Sequence, residues 1–143
     1  MIPLKDDNPT SSRPIITYCI IGICVFVFIL ELSSPGYKTG TLFYSYGVIP
    51  AVLTGKVLLP QEAYAVPASF TLITSMFMHG GFMHLIGNML YMWIFADNIE
   101  DELGPTKFLI FYILSGIAAA LTQVYMNTDC LLYTSDAADE KRW

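Results

Sequence analysis

The sequence predicts an all-α membrane protein, and three observations lead to that fold class. Apolar residues make up 55% of the 143 positions and charged residues only 13%, whereas a soluble domain is about a quarter charged. Three long apolar stretches approach or reach the length needed to cross a bilayer as a helix. Because lipid-exposed backbone must be hydrogen-bonded internally, such stretches form helices. We expect spans at about residues 14–32, 82–99 and 108–126.

The first span begins at Pro14, and its charge-free part ends at Leu30, with Glu31 marking the exit. This run rises about 26 Å as a helix, enough for a thin bilayer core. A cleaved signal peptide is the alternative. The run is long for a signal peptide and lacks a clear small-x-small cleavage site, so we favour a retained anchor.

Residues 33–81 form a long first loop that we expect to lie at the membrane–water interface. Prolines and glycines break it, yet it carries aromatic and partly apolar patches such as FYSYGVIPAVL. Such segments favour the interface, and an ordinary extramembrane loop is the alternative. Within the loop, Phe70 to Met78 is expected to be interfacial or partly inserted. The pair Gly80-Gly81 then breaks the chain before the second span.

An acidic turn separates the second span from the third. Gly104-Pro105 is a strong helix stop, and the carboxylates before it are Asp97, Glu100, Asp101 and Glu102. The third run carries a face of small residues at four-residue spacing: Ser115, Gly116, Ala119 and Ala120. Such a face lets another helix approach closely, so it indicates helix packing and not chemistry.

Charge and cysteine content exclude several classes of function. A net charge of −5 without a basic patch argues against a nucleic-acid partner. Three cysteines are too few for a disulfide framework, and Cys19 and Cys24 are expected to pack as small apolar residues. The sequence implies no cofactor and no metal. The lysines and arginines are nearly balanced along the chain and only lean toward a cytoplasmic N-terminus.

The candidate functional residues are His84 and Asn88, four positions apart on the second predicted span and therefore on one helix face. Burying such polar groups without a partner costs roughly 2–7 kcal/mol, so they tend to face the bundle interior or a wet cavity. Two adjacent donors could stabilise a developing oxyanion. The alternatives are interhelical hydrogen bonds, a metal site that lacks a full ligand set, and a proton path without a matching carboxylate.

The run FTLITSMFMHGGFMHLIGNMLYMWIFADNIEDELGPTKFLIFYILSGIAAAL resembles the rhomboid family around its second and third transmembrane helices. The most specific part is HGGxxHxxxN followed by W-x-F-x-D-N-x-E-D-x-L-G. The opening MIPLKDDNP and the phrase YSYGVIP look like bacterial and archaeal members. The resemblance covers nearly everything from Met1 to about Thr128. It implies a rhomboid-like helical bundle truncated to three of six transmembrane helices, with a long interfacial first loop.

The resemblance also implies an activity, namely intramembrane serine endopeptidase action on transmembrane protein substrates. Carried over, His84 and Asn88 help form the oxyanion hole, and His79 supports the junction of loop and helix. Glu100 and Gly104 match positions that fix the cytoplasmic end of the second helix. A multi-pass protein of a prokaryotic plasma membrane, with a cytoplasmic N-terminus, is implied as well.

The family's catalytic dyad needs a serine in Gly-x-Ser-Gly on the fourth helix and a histidine on the sixth. Neither occurs in these 143 residues, because no histidine follows His84 and the residue two before Ser115 is Ile113, not glycine. We therefore expect this chain to carry an oxyanion hole without a nucleophile or base, and to be inactive alone.

Residues 129–143 are predicted not to belong to the partial rhomboid domain, which covers residues 1–128. From Cys130 the peptide CLLYTSDAADE resembles the translation of a transposase-type sequencing adapter, so we expect an artefactual tail; a genuine acidic C-terminus is the alternative. Two alternatives to the protease function remain. One is a non-catalytic rhomboid-like protein that binds clients, and the other is a complete three-span transport or scaffold protein.

Overall fold

The structure is a computed structural model that describes residues 12–34, 41–60, 63 and 65–129. Every regular element in these ranges is helical, which confirms the all-α fold class. The predicted tail beyond Asp129 and the polar residues 1–11 lie outside the described part. The elements are α1 (Ile15–Ser33), α2 (Thr41–Tyr46), α3 (Pro50–Leu53), α4 (Thr71–Thr74), a 3-10 turn (Ser75–Phe77), α5 (Phe82–Leu103) and α6 (Pro105–Met126).

Two helices in the described residues, α1 and α6, are long and apolar enough to cross a membrane. The second predicted span lies within α5, which does not reach the same mean hydropathy. Its two site residues and its acidic last turns lower the average. The crossing of α5 therefore stays a prediction. The loop between the first two spans contains α2 and α3, short helices that its broken sequence did not predict.

One face of α1 packs against α5 and forms the centre of the core. Its buried residues recur at spacings of three and four, as one helix face requires. Phe28 is 2% exposed and meets Phe82 edge to face, with 5.0 Å between the ring centroids. Burying side chains of this size stabilises the contact by about 1.5–3 kcal/mol each. The buried face consists of Thr17, Ile20, Cys24, Phe28 and Glu31.

At the start of α1, the carboxylate of Glu100 in α5 binds the first turn of the helix, and Glu100 is 1% exposed. One oxygen accepts the Ile16 N–H at 3.0 Å. The other accepts the Thr17 N–H and the Thr17 hydroxyl, each at 2.8 Å. The first N–H groups of a helix have no partner within it and carry partial positive charge. Glu100 therefore caps α1 from another helix.

Gly104 is the single non-helical residue between α5 and α6. Its φ of 78° and ψ of 158° belong to a region that only glycine occupies readily. Its N–H donates to the Glu100 carbonyl oxygen at 2.8 Å and ends α5. Pro105 then opens α6, where the missing N–H of proline costs nothing. The helix stop lies where Gly104-Pro105 predicted it.

At the end of α1 the structure differs from the sequence interpretation of Glu31 as the exit of the span. Glu31 lies inside α1, which continues to Ser33, and it is 1% exposed. Its side chain continues the buried face at a three-residue interval from Phe28, so it points into the protein. The carboxyl group at the end of the apolar run, that of Glu31, is therefore buried.

Candidate functional site

The segment between the 3-10 turn and α5 sets the position of the site. His79 follows the turn and is 3% exposed, with its ring Nδ1 3.2 Å from the Phe77 carbonyl oxygen. Gly81 precedes α5 in an extended conformation and accepts the first helical hydrogen bond, from the Leu85 N–H at 3.0 Å. The chain thus turns from the 3-10 turn into α5 at the predicted Gly80-Gly81 break.

His84 and Asn88 lie in the first two turns of α5, on the face that the four-residue spacing predicted. Both residues are exposed at their positions on the helix, and both line one cavity of about 470 Å³. The rings of His79 and His84 are 5.3 Å apart between centroids and meet edge to face at 66°. The structure therefore brings all three predicted polar side chains of this window to one place.

The buried position of His79 affects its ionisation. Burial lowers the pKa of the His79 imidazole, and the neighbouring His84 lowers it further, while the bond to the Phe77 carbonyl acts in the opposite direction. The neutral ring is therefore favoured at neutral pH. A neutral ring with one N–H held on a backbone carbonyl is oriented and does not bring a charge into the cavity.

The opposite wall of the cavity is the small-residue face of α6. From the sequence, this face was predicted to serve helix packing. The structure shows that it also faces the candidate site. Gly116 is in close contact with Met76, since a Cβ at this position would lie 2.2 Å from the Met76 methyl carbon. The wall consists of Ser115, Gly116, Ala119, Ala120 and Gln123.

Several cavity residues were missed in the sequence. Ser75, Tyr112 and Gln123 also line the cavity, and each is a polar group within a largely apolar run, which is a signal for an inward position. Cys24, predicted as a small packing residue, is buried and borders the cavity too. Within the described ranges, no cluster of three or more His, Cys, Asp or Glu side chains is arranged to hold a metal ion.

The other two predicted structural residues lie far from the cavity. Glu100 and Gly104 are at the opposite end of α5, and sixteen residues from His84 to Glu100 correspond to about 24 Å of helix. They act on the start of α1 and on the turn between α5 and α6. α5 thus has the cavity with His84 and Asn88 at its beginning and a polar cap for another helix at its end.

Comparison with known proteins identifies the sequence family. Residues 66–133 match the Rhomboid domain, a range that starts shortly before α4 and ends four residues beyond Asp129. Rhomboid protein 1 of Saccharomyces cerevisiae mitochondria is 36% identical over 70 residues, which are 49% of this chain and 20% of that protein. Rhomboid protease GluP of Bacillus subtilis is 26% identical over 112 residues, 78% of this chain and 20% of that protein.

A third relative carries a different description. Inactive rhomboid protein 1 of Drosophila melanogaster is 33% identical over 57 residues, 40% of this chain and 4% of that protein. The chain thus spans a fifth or less of these three relatives. No solved structure matches it. The Rhomboid domain match, these relatives and the two span-length helices give one conclusion: the chain contains Rhomboid domain sequence in residues 66–133 and is a membrane protein.

Proposed function

We propose that this chain is the N-terminal part of a rhomboid intramembrane serine endopeptidase that cleaves transmembrane substrates. In this proposal His84 and Asn88 donate hydrogen bonds to the oxyanion of the tetrahedral intermediate. The observation that carries it is their common position, one helical turn apart, on a cavity of about 470 Å³. Preorganised donors around a developing charge are the largest single contribution in many acyl-transfer enzymes.

The surroundings of the pair suit this role. His79, held by the Phe77 carbonyl, contacts His84 through its ring and so restricts where that imidazole can lie. The small residues of α6 leave space opposite Asn88, where a substrate carbonyl and the attacking group could meet. Neither Gly-x-Ser-Gly nor a later histidine occurs in the 143 residues. We therefore expect the chain alone to hydrolyse nothing, with nucleophile and base supplied by the rest of the protein.

The experiment starts from the source DNA, read onward from the codon of Asp129 in its native frame. The protein so recovered is assayed on a transmembrane reporter substrate, with His84→Ala and Asn88→Ala beside the wild type. Each substitution should lower kcat by about 10²–10³-fold, the usual effect of losing one oxyanion donor. Unchanged kcat in both variants would refute the assigned roles.

A matched control is available on the same helical turn. Met83 precedes His84 and is 81% exposed, so Met83→Leu changes the surface of α5 without touching the cavity. It should leave kcat unaltered. Cleavage of the reporter by the 143-residue chain alone would contradict the view that the dyad lies outside it.

A second function is favoured by one comparison. The similarity to the inactive rhomboid protein of Drosophila covers 57 residues, so a similar sequence also occurs in a protein described as inactive. In this alternative the cavity belongs to a non-catalytic protein that binds membrane clients. The native reading frame separates the two functions, because only the protease requires Gly-x-Ser-Gly and a downstream histidine.

Orientation and origin complete the proposal. We place the N-terminus in the cytoplasm, so that the acidic turn between α5 and α6 is cytoplasmic and the loop of residues 33–81 is outside. The proposal of a prokaryotic plasma membrane rests only on the opening MIPLKDDNP and the internal phrase YSYGVIP, because the relatives come from bacteria and eukaryotes alike. Residues 129–143 are proposed to be adapter-derived, and native DNA that encodes them without adapter sequence would refute this.

A further inference from the structure

Glu31 presents a buried carboxyl group that the proposed chemistry does not use. It is 1% exposed, and neither of its carboxyl oxygens has a hydrogen-bond partner among the described residues. An unpaired carboxyl removed from water costs several kcal/mol. A helix that keeps such a group on its buried face has a reason beyond packing, since an apolar residue would pack there at lower cost.

The group that faces this carboxyl is the backbone of His79. The His79 N–H is close enough to interact with the Glu31 carboxyl, but the two do not meet the geometry of a normal hydrogen bond. The backbone hydrogen bonds of the described chain give this N–H no carbonyl partner. A donor without an acceptor thus lies beside an acceptor without a donor. Pairing the two would relieve the cost of both.

Glu31 lines a second cavity, of about 350 Å³, whose walls are otherwise mostly apolar side chains of α1, α2 and the 3-10 turn. Thr74 also lines it, but its hydroxyl already donates to the Tyr46 carbonyl oxygen at 2.5 Å. The cavity has room for several water molecules at about 30 Å³ each. His79 is not among its lining residues, so the proposed contact with the His79 N–H is a direct one.

We propose that Glu31 is a positioning residue, which accepts the His79 N–H and thereby fixes the start of α5 that carries His84. This inference rests on the proposed function, because it assigns Glu31 to the support of the same site. A second contact strengthens it. Phe28, one turn earlier on α1, packs on Phe82, the first residue of α5. The end of α1 thus holds the segment of residues 79–82 at two points.

The test is amide hydrogen exchange on the purified 143-residue chain in detergent micelles. Glu31→Leu removes the acceptor and keeps an apolar side chain of similar size. Exchange at residues 79–85 should become about tenfold faster, the effect of losing one hydrogen bond that limits local opening. Glu31→Gln keeps a carbonyl acceptor in the same place, so it should restore most of the protection.

The matched control is Glu100→Gln at the other end of the same helix contact. It should speed exchange at Ile16 and Thr17, whose N–H groups bind Glu100, and leave residues 79–85 unchanged. The NMR signals of the His84 ring should shift in Glu31→Leu and not in Glu100→Gln. A general loss of stability would move both regions together.

Three results would overturn the proposal. Unchanged exchange at residues 79–85 in Glu31→Leu shows that the amide does not depend on the carboxyl. Equal acceleration at both ends of α1 shows a purely global effect. A Glu31→Gln variant that behaves like Glu31→Leu shows that the acceptor is irrelevant. None of these readouts involves cleavage, so they are independent of the kcat test of His84 and Asn88.

Discussion

The two ends of the contact between α1 and α5 each contain a glutamate that is 1% exposed, yet their surroundings are opposite. Glu100 accepts three hydrogen bonds from the first turn of α1. Glu31 accepts none within the described residues. Burial alone therefore does not tell whether a carboxylate stabilises a fold; the number of donors around it does.

The difference follows the division of α5 into two ends. The satisfied glutamate lies beside the turn of Gly104, where α1, α5 and α6 meet. The unsatisfied one lies near His79, at the end of α5 that carries the proposed oxyanion residues. Groups that are costly to bury concentrate at functional sites, because geometry for chemistry is kept there at the expense of stability. The predictions below test this contrast, from the largest expected effect to the smallest.

Removing the satisfied carboxylate should have the largest effect. Glu100→Ala leaves two backbone N–H groups and the Thr17 hydroxyl without an acceptor, and we expect a loss of about 3 kcal/mol or more in the free energy of unfolding. Denaturation of the chain in micelles, followed by circular dichroism, measures it. Glu102→Ala is the control, because Glu102 is exposed on the same turn. Equal effects of Glu100→Ala and Glu102→Ala would show that the three hydrogen bonds to Glu100 do not stabilise the fold.

The same end of the molecule depends on the backbone of Gly104. An alanine here has space, since nothing lies within 4 Å of the added Cβ, but it cannot easily adopt φ 78° and ψ 158°. We expect Gly104→Ala to cost about 2 kcal/mol. Gly22→Ala, in the middle of α1 and also without neighbours within 4 Å, should be neutral or stabilising. Thermal unfolding of both variants decides whether conformation or space is responsible.

Replacing the unsatisfied carboxyl should have the opposite sign. Glu31→Leu removes a buried carboxyl whose single proposed donor, the His79 N–H, does not offset its desolvation, so we expect the free energy of unfolding to rise by about 1 kcal/mol while the segment around His79 exchanges faster. The denaturation assay used for Glu100→Ala measures the first effect. A loss of more than about 1 kcal/mol in Glu31→Leu would show that both glutamates stabilise the fold and would end the contrast.

The smallest effect concerns pH at the Glu31 end. Because the pKa of His79 is lowered in the folded chain, the unfolded chain binds a proton first as the pH falls below about 6.5. Stability should therefore decrease from that pH down to the folded pKa, and change no further through this group below it. His79→Gln should remove this part of the dependence. Coinciding melting profiles of the two proteins between about pH 8 and pH 5 would contradict it.

Much of the fold could be predicted from local sequence features. Paired glycines and a Gly-Pro step act through backbone conformation alone, so the beginning of α5 at Phe82 and its end at Gly104 agree with expectation. The four-residue interval between His84 and Asn88 fixes a common face in any helix. These features need no knowledge of what packs against them.

The rest depended on partners that local sequence does not specify. Glu31 ends an apolar run, and a charge in that place usually meets water; only the packing of α1 on the segment of residues 77–82 buries it. The small face of α6 predicted a close neighbour but not which one. In the structure Met76 fills the space above Gly116. The helices α2 and α3 lie in a stretch broken by glycine and proline, where propensity is weak.

The connection through Gly104 has a mechanical consequence. α5 and α6 contain 22 residues each, so each is a rod of about 33 Å joined to the other by one non-helical residue. A rotation of about 5° at that joint would displace the far end of α5 by about 3 Å, simply from its length. His84 and Asn88 are near that far end. Small changes in the backbone angles of Gly104 would therefore produce large changes in the positions of the His84 and Asn88 donors.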